Sequence, residues 1–375
     1  MKRRNFVKIA GSVIGIAGAG GYVLSDKNNF TRTDGKSAIP EKSFLQQDER
    51  NILYLASLAP SGHNAQPWFV KYIAPFHWII CNDKTRWLPA VDPTQRETIL
   101  SIGAFAQTLE YAAANAGYNC VFTLLAGTNQ DENVLDVKLT QASAIDTFDI
   151  NKIKNRRTVR SNYLNDILKK EDADFLFGEE KDFCHFLNRG SKEFAYLNEQ
   201  TIEANKIQSY RDVAEKELAD WIRFSSKDAQ ENMDGLTTAS MEIEGLSGFV
   251  VRNFYNKKSV MKNNFRDKNI ELVVKQVSQS AGWLLITSEG SSVAILLETG
   301  KRMQRMFLKV REKGIAIHPM TQILEEESVQ KTVNQSIGIT DNIQFILRLG
   351  YLKNYPAPVT LRRPVDWFVT GIKTF

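Results

Sequence analysis

Ala59-Pro60-Ser61-Gly62-His63-Asn64-Ala65-Gln66-Pro67-Trp68 is a turn bounded by two prolines, crowded with small polar groups and leading into apolar sequence. Its counterpart is Asn155-Arg156-Arg157-Thr158-Val159-Arg160, a basic cluster with a hydroxyl at its centre. Upstream of the first stretch, apolar residues from Phe44 to Leu58 recur in helical spacing and stop at Pro60, which predicts a helix. Downstream, Trp68–Ile73 and His77–Cys81 are rich in aromatic and β-branched residues. They read as two strands joined by a turn at Ala74-Pro75.

The same reading extends along the chain. Thr94–Ala116 carries Ile99, Ile102, Ala106, Leu109 and Ala113 on one helical face, and Gly117 ends it. Cys120–Leu125 and Val134–Leu139 read as strands. The order then repeats: helix over Ser191–Phe224, strand over Gly282–Ser288, helix over Ser291–Lys313, strands over Ile315–Pro319 and Asn342–Leu349. This alternation predicts an α+β or α/β chain of sheets sandwiched by helices. Asp234–Asn264 fits neither half and reads as an irregular lid or loop. The predicted organisation is a first half over 44–150 and a second over 151–375, the latter holding the lid insertion 234–264.

With 375 residues, 43% hydrophobic and 24% charged, the chain is long enough to bury a large core. Four of its five net positive charges sit at Lys2, Arg3, Arg4 and Lys8, before any acid appears. The remainder is close to neutral, which excludes a general nucleic-acid-binding surface. Cys81, Cys120 and Cys184 form no C-x-x-C pair, so neither zinc nor dithiol chemistry is indicated. Residues 1–25 join a basic start to an uncharged, Gly- and Ala-rich run. The Arg3-Arg4 pair resembles a twin-arginine signal, with Phe6 and Lys8 following at the expected intervals. That resemblance implies export of a folded protein to the periplasm or the outer face of the cytoplasmic membrane. Residues 26–43 read as a linker.

Taken together, the motifs resemble the flavin-dependent nitroreductase family. The matches are the Leu58-to-Trp68 run, the Arg156-to-Arg160 cluster and the basic pair Arg362-Arg363 near the C-terminus. Members normally pair two copies to complete each FMN site. Here each half carries a complementary part of one site. The chain is therefore similar to the fused, Acg-like branch, to which Arg86–Glu97, Ser101–Ala104 and His318–Gln322 also correspond.

The resemblance implies a nitroreductase-like α+β fold, with two similar half-domains forming an internal pseudo-dimer. It implies a monomer holding one FMN. Ser61, His63, Asn64 and Gln66 would border the flavin ring. Arg156, Arg157, Thr158 and Arg160 would clamp the phosphate, helped by Arg362 or Arg363. A helix starting near Asn165 would add to the clamp. Met320 and Thr321 would touch the ring, and His63 is a candidate proton donor. Asp92, Arg96 and Glu97 read as a helix-terminal ion network.

The implied activity is two-electron transfer through flavin N5 to a nitroaromatic, quinone or enone. The donor would be NAD(P)H, a quinone or a redox protein. The alternative is an exported protein that sequesters flavin with little turnover.

Overall fold

Gly282–Ser288 is buried along its whole length, whereas Tyr118–Leu124 alternates between half-buried and exposed residues. These two strands belong to two different sheets. The computed structural model describes residue 32 and residues 45–142 and 146–371. The expected signal and linker lie outside the described residues, apart from Arg32.

In the first half, helix α1 (Gln47–Ser57) precedes strands β1 (Trp68–Ala74) and β2 (His77–Asn82). Helix α2 (Arg96–Asn115) follows, then β3 (Tyr118–Leu124) and β4 (Asn133–Gln141). Short helical turns over Ile150–Asn155 and Lys170–Phe177 lead to the second half. There β5 (Cys184–Asn188) is followed by four longer helices. They are α3 (Lys192–Tyr210), α4 (Asp212–Trp221), α5 (Gly245–Phe254) and α6 (Asn263–Val277). Then come β6 (Gly282–Ser288), α7 (Val293–Lys309), β7 (Ile315–Pro319), α8 (Glu327–Ile337) and β8 (Asn342–Tyr351). A last strand, β9 (Val369–Gly371), returns to the first sheet and pairs parallel to β1.

The first sheet runs β3-β4-β2-β1-β9 and the second β5-β6-β8-β7. Reading the second backwards gives β7-β8-β6-β5, the order of β3-β4-β2-β1. All six corresponding pairings are antiparallel. The long helices α2 and α7 occupy equivalent places, and the chain is α+β. One core joins the halves, with Trp78 and Ile80 of the first sheet and Leu284 and Ile286 of the second packed about these helices.

The seam between α2 and α7 explains two glycines. A Cβ on Gly103 would lie 2.2 Å from the Leu297 carbonyl oxygen, and one on Gly300 would lie 2.1 Å from that of Leu100. Both distances are far inside van der Waals contact, so the backbones approach this closely only without side chains.

The halves differ in one connection. Between β1 and β2 the chain turns over Pro75-Phe76, with Phe76 at φ 59°. Between β5 and β6, residues 189–281 are inserted. Helices α3 and α6 cover the second face of the second sheet, where Phe194, Leu197, Val273 and Val277 pack on Trp283 and Leu285.

Two expectations change. Residues 234–264 are not irregular throughout, because α5 and the turn Lys257–Val260 lie within them. Gly248 lets α5 start tightly: a Cβ there would meet the Ile243 carbonyl oxygen at 2.4 Å. The predicted single helix over Ser191–Phe224 breaks at Arg211, whose extended φ/ψ (−86°, 99°) separates α3 from α4.

Candidate functional site

The loop after α1 is held in a costly conformation. His63, Asn64 and Gln66 have φ of 49°, 54° and 53°, the left-handed region that side chains disfavour. Parts of the chain distant in sequence hold it there. Arg362 donates through Nη1 to Asn64 Oδ1 (2.7 Å) and through Nη2 to the carbonyls of Leu58 (3.2 Å) and Ala59 (3.1 Å). Arg156 donates to the same Leu58 carbonyl. Arg363 donates to the carbonyls of Gln66 and Trp68, both at 2.6 Å. Asn64 Nδ2 donates to the Gly235 carbonyl, and Gln66 Nε2 to that of Met233. The Ser61 hydroxyl closes the loop by accepting from the Gln66 N–H (2.9 Å).

This loop forms one edge of a cavity of about 810 Å³ between the two halves and the inserted helices. Ser61 and His63 line it, as do Thr158 and Arg160. The motifs separated in sequence therefore meet in space, but they sort into two layers. Asn64 and Gln66 of the loop bond away from the cavity to Gly235 and Met233, and Arg156, Arg362 and Arg363 stand behind it, bonded to its carbonyls. Arg157 pairs with Glu242 at 3.1 Å and donates to the Ala357 carbonyl. Met320 is buried in the second core, while its neighbours Pro319 and Thr321 line the cavity. Residues 164–169 are not helical and the next helix begins at Lys170, so the helix start expected near Asn165 is not there; the cluster instead follows the C-terminal end of the helix Ile150–Asn155.

Electrostatics divides the inner wall. Burial, then the nearby Arg160 charge, holds His63 down to about 4. His318 is held well below its ordinary value by burial, Arg348 and Arg160. Both imidazoles are neutral at pH 7. Arg348 can only donate, so His318 accepts at Nδ1 (3.2 Å) and carries its proton on Nε2.

On another part of the wall Glu97 and Glu325 approach each other. Burial, then the Glu325 carboxylate, pushes Glu97 up to about 8, although Arg96 lies 2.9 Å away. Glu325 is also raised, chiefly by burial, while its oxygens accept from Thr321 (2.8 Å) and Gln208 (2.6 Å). The helix-terminal ion network expected from Asp92, Arg96 and Glu97 thus faces the cavity through Glu97. Glu325 and Gln208 belong to no motif, and only the packing of α3 against the segment after β7 brings them here.

No family model matches the chain. A protein of Serratia sp. named "Probable NAD(P)H nitroreductase PigM" is 22% identical over 340 residues, covering 85% of this chain and 92% of its own. The Mycobacterium tuberculosis protein acg, provisionally named an NAD(P)H nitroreductase, is 24% identical over 327 residues, covering 84% and 93%.

This chain resembles named nitroreductases over most of its length.

Among solved structures, the FMN-dependent nitroreductase NfnB from Mycobacterium smegmatis, crystallised with NADPH, aligns with TM-score 0.35 at 16% identity. It covers 55% of this chain and 91% of its own. A nitroreductase-like family protein from Bacillus cereus aligns with TM-score 0.33 at 14% identity, covering 61% and 100%. Superpositions this loose add nothing to the fold, which rests on the sheet order above.

Proposed function

We propose that the protein is an FMN-dependent oxidoreductase that uses NAD(P)H or another two-electron donor to reduce a small acceptor at this cavity. The observation that carries the reading is that the polar loop and the basic cluster meet at one cavity, which Ser61, His63, Thr158 and Arg160 line. Among the described residues, neither Arg156 nor Arg362 has a carboxylate partner. Burial depresses both, with Arg32 adding to each and Arg156 to Arg362. Arg156 is pushed down to about 10 and Arg362 well below its ordinary range. Arg156 Nη1 is buried without a partner. Buried charge of one sign is costly unless an opposite charge offsets it. Arg156 and Arg362 stand behind the loop, whereas Arg160, also depressed by burial, lines the cavity, so a bound anion fits beside it.

FMN suits both the charge and the space. Its phosphate would lie toward Thr158 and Arg160, and its ring edge toward Ser61 and His63. When bound, it supplies two-electron hydride chemistry. The chain's own residues then bind and exclude water. The inserted helices wall off the outer side. Neutral His63 and His318 present ring nitrogens without adding charge. Protonated Glu97 is a hydrogen-bond donor at neutral pH. The internal pairing of the halves supports a monomer with one FMN, and the N-terminal arginine pair supports export by the twin-arginine route.

An absorbance spectrum of the purified full chain tests the reading. The expected result is a flavin spectrum, with FMN released on denaturation at about one per chain. Arg160→Ala should weaken FMN binding by about 1.5–3 kcal/mol, the scale of a charged hydrogen bond. A colourless protein that takes up no FMN would overturn the reading. Tight FMN binding without reoxidation by any acceptor would instead make the protein a flavin carrier.

A further inference from the structure

The cavity is larger than the polar site at its inner end. At about 810 Å³ it lies high in the ~300–1,000 Å³ range of ligand sites. Its inner wall is polar, as described. Its outer wall is built almost wholly by the inserted segment and is mainly apolar, although Asn205, Ser209, Glu215, Ser247, Asn269 and Gln276 also line it. Leu218 of α4, Ile222 just past its end, Leu236 and Ile243 before α5, and Val250 of α5 line it, with Leu272 of α6. The β1–β2 turn of the first half has nothing equivalent, so this chamber exists only because of the insertion.

The apolar wall continues to the surface. Leu246 lines the cavity yet is 74% exposed, and Leu272 is 40% exposed. Scattered exposed leucines are ordinary. These two are not scattered, because they lie on the same cavity as the buried apolar wall. Lys268, exposed one turn before Leu272, stands on the same rim. A path with a polar inner end, a long apolar middle and an apolar mouth matches an elongated amphiphile with its head inside. Beside Ser61 and His63 the wall offers no charge, because burial keeps His63 and His318 neutral, and this suits an uncharged head there.

We infer that the outer chamber binds the hydrocarbon tail of a lipid-type quinone, whose neutral carbonyl-bearing ring lies at the Ser61–His63 end. The inference rests on the flavin reading for the role of that ring, while the tail site stands on the chamber itself.

Calorimetric titration of the purified full chain with benzoquinones bearing methyl, hexyl and decyl tails tests it. Affinity should rise about fourfold for each methylene taken in and level off once the tail reaches the mouth. Leu218→Asn, in the chamber wall, should remove most of that dependence. Leu246→Gln, an exposed change that spares the fold, should lower decyl affinity a few-fold and leave methyl affinity alone. FMN content should be unaffected by either.

A flavin-bearing protein whose affinity ignores tail length overturns the inference and leaves the flavin reading standing. A colourless protein that still prefers long tails upholds the chamber and overturns the flavin reading. A colourless protein with no tail preference overturns both.

Discussion

Strands β2 and β6 hold the same place in two sheets of the same order, yet they meet different surroundings. Among the described residues β1 passes to β2 through no more than the Pro75-Phe76 turn, and Ile79 on β2 is half-buried. Over β6's outer face lie the helices of residues 189–281, and Leu285 is fully buried. Duplicated sheets thus supply the frame, and one lengthened connection supplies both a second core and the outer wall of the cavity. The difference locates where this chain acquired its particular binding space.

The comparison breaks most directly by truncating both positions. Leu285→Ala should cost about 2–5 kcal/mol, because a buried cavity remains where the side chain was. Ile79→Ala should cost no more than about 1 kcal/mol, as solvent already reaches that face. Urea unfolding of the two variants checks this, and equal losses would mean that the inserted helices do not seal β6.

The shared seam should behave alike from either side. Gly300→Ala places a methyl 2.1 Å from the Leu100 carbonyl, and Gly103→Ala places one 2.2 Å from that of Leu297. Each should cost about 1–3 kcal/mol as the helices are forced apart. Calorimetry that showed one variant unaffected would mean that α2 and α7 do not share the contact evenly.

The smallest effects concern pH and separate the two sides of the inner wall. His63 is held down to about 4, below its ordinary 6.5. Between those values the unfolded chain binds the extra proton, so this contribution to stability is whole above pH 6.5 and lost as pH falls toward 4. Glu97 is raised from 4.5 to about 8. Its contribution is whole below pH 4.5 and lost as pH rises through 8. Melting temperatures across pH 4–9 should show a shallower acid limb for His63→Asn and a shallower alkaline limb for Glu97→Gln. Superimposable curves would place both groups in solvent.

Much of the frame was legible in sequence because it depends on local periodicity. Nearly every apolar run with period 2 or 3.6 between Gln47 and Gln141 forms the expected element, with ends within a few residues. Strand β5 and helices α6 and α8 escaped this reading. In α6, Asn263–Val277, only Arg266, Val273, Gln276 and Val277 are buried, too sparse a stripe to stand out. The two motifs were also legible as partners, and the structure brings Ser61, His63, Thr158 and Arg160 to one cavity. Which arginines face inward was not legible. Arg156 and Arg160 are alike as letters, but one donates to the Leu58 carbonyl and the other borders the cavity.

By itself, then, the sequence determined the helices and strands, the repeat of their order and the pairing of a polar loop with a basic cluster. Each follows from spacing along the chain, which sets the face that a residue presents. Tertiary structure alone decided the glycine seam, the pinning of the loop by Arg362 and Arg363, and the approach of Glu97 to Glu325. Those depend on distances between segments up to about three hundred residues apart, fixed only when the sheets close around α2 and α7. Burial is likewise a property of the folded whole, and it is what makes His63 neutral and keeps the proton on Glu97.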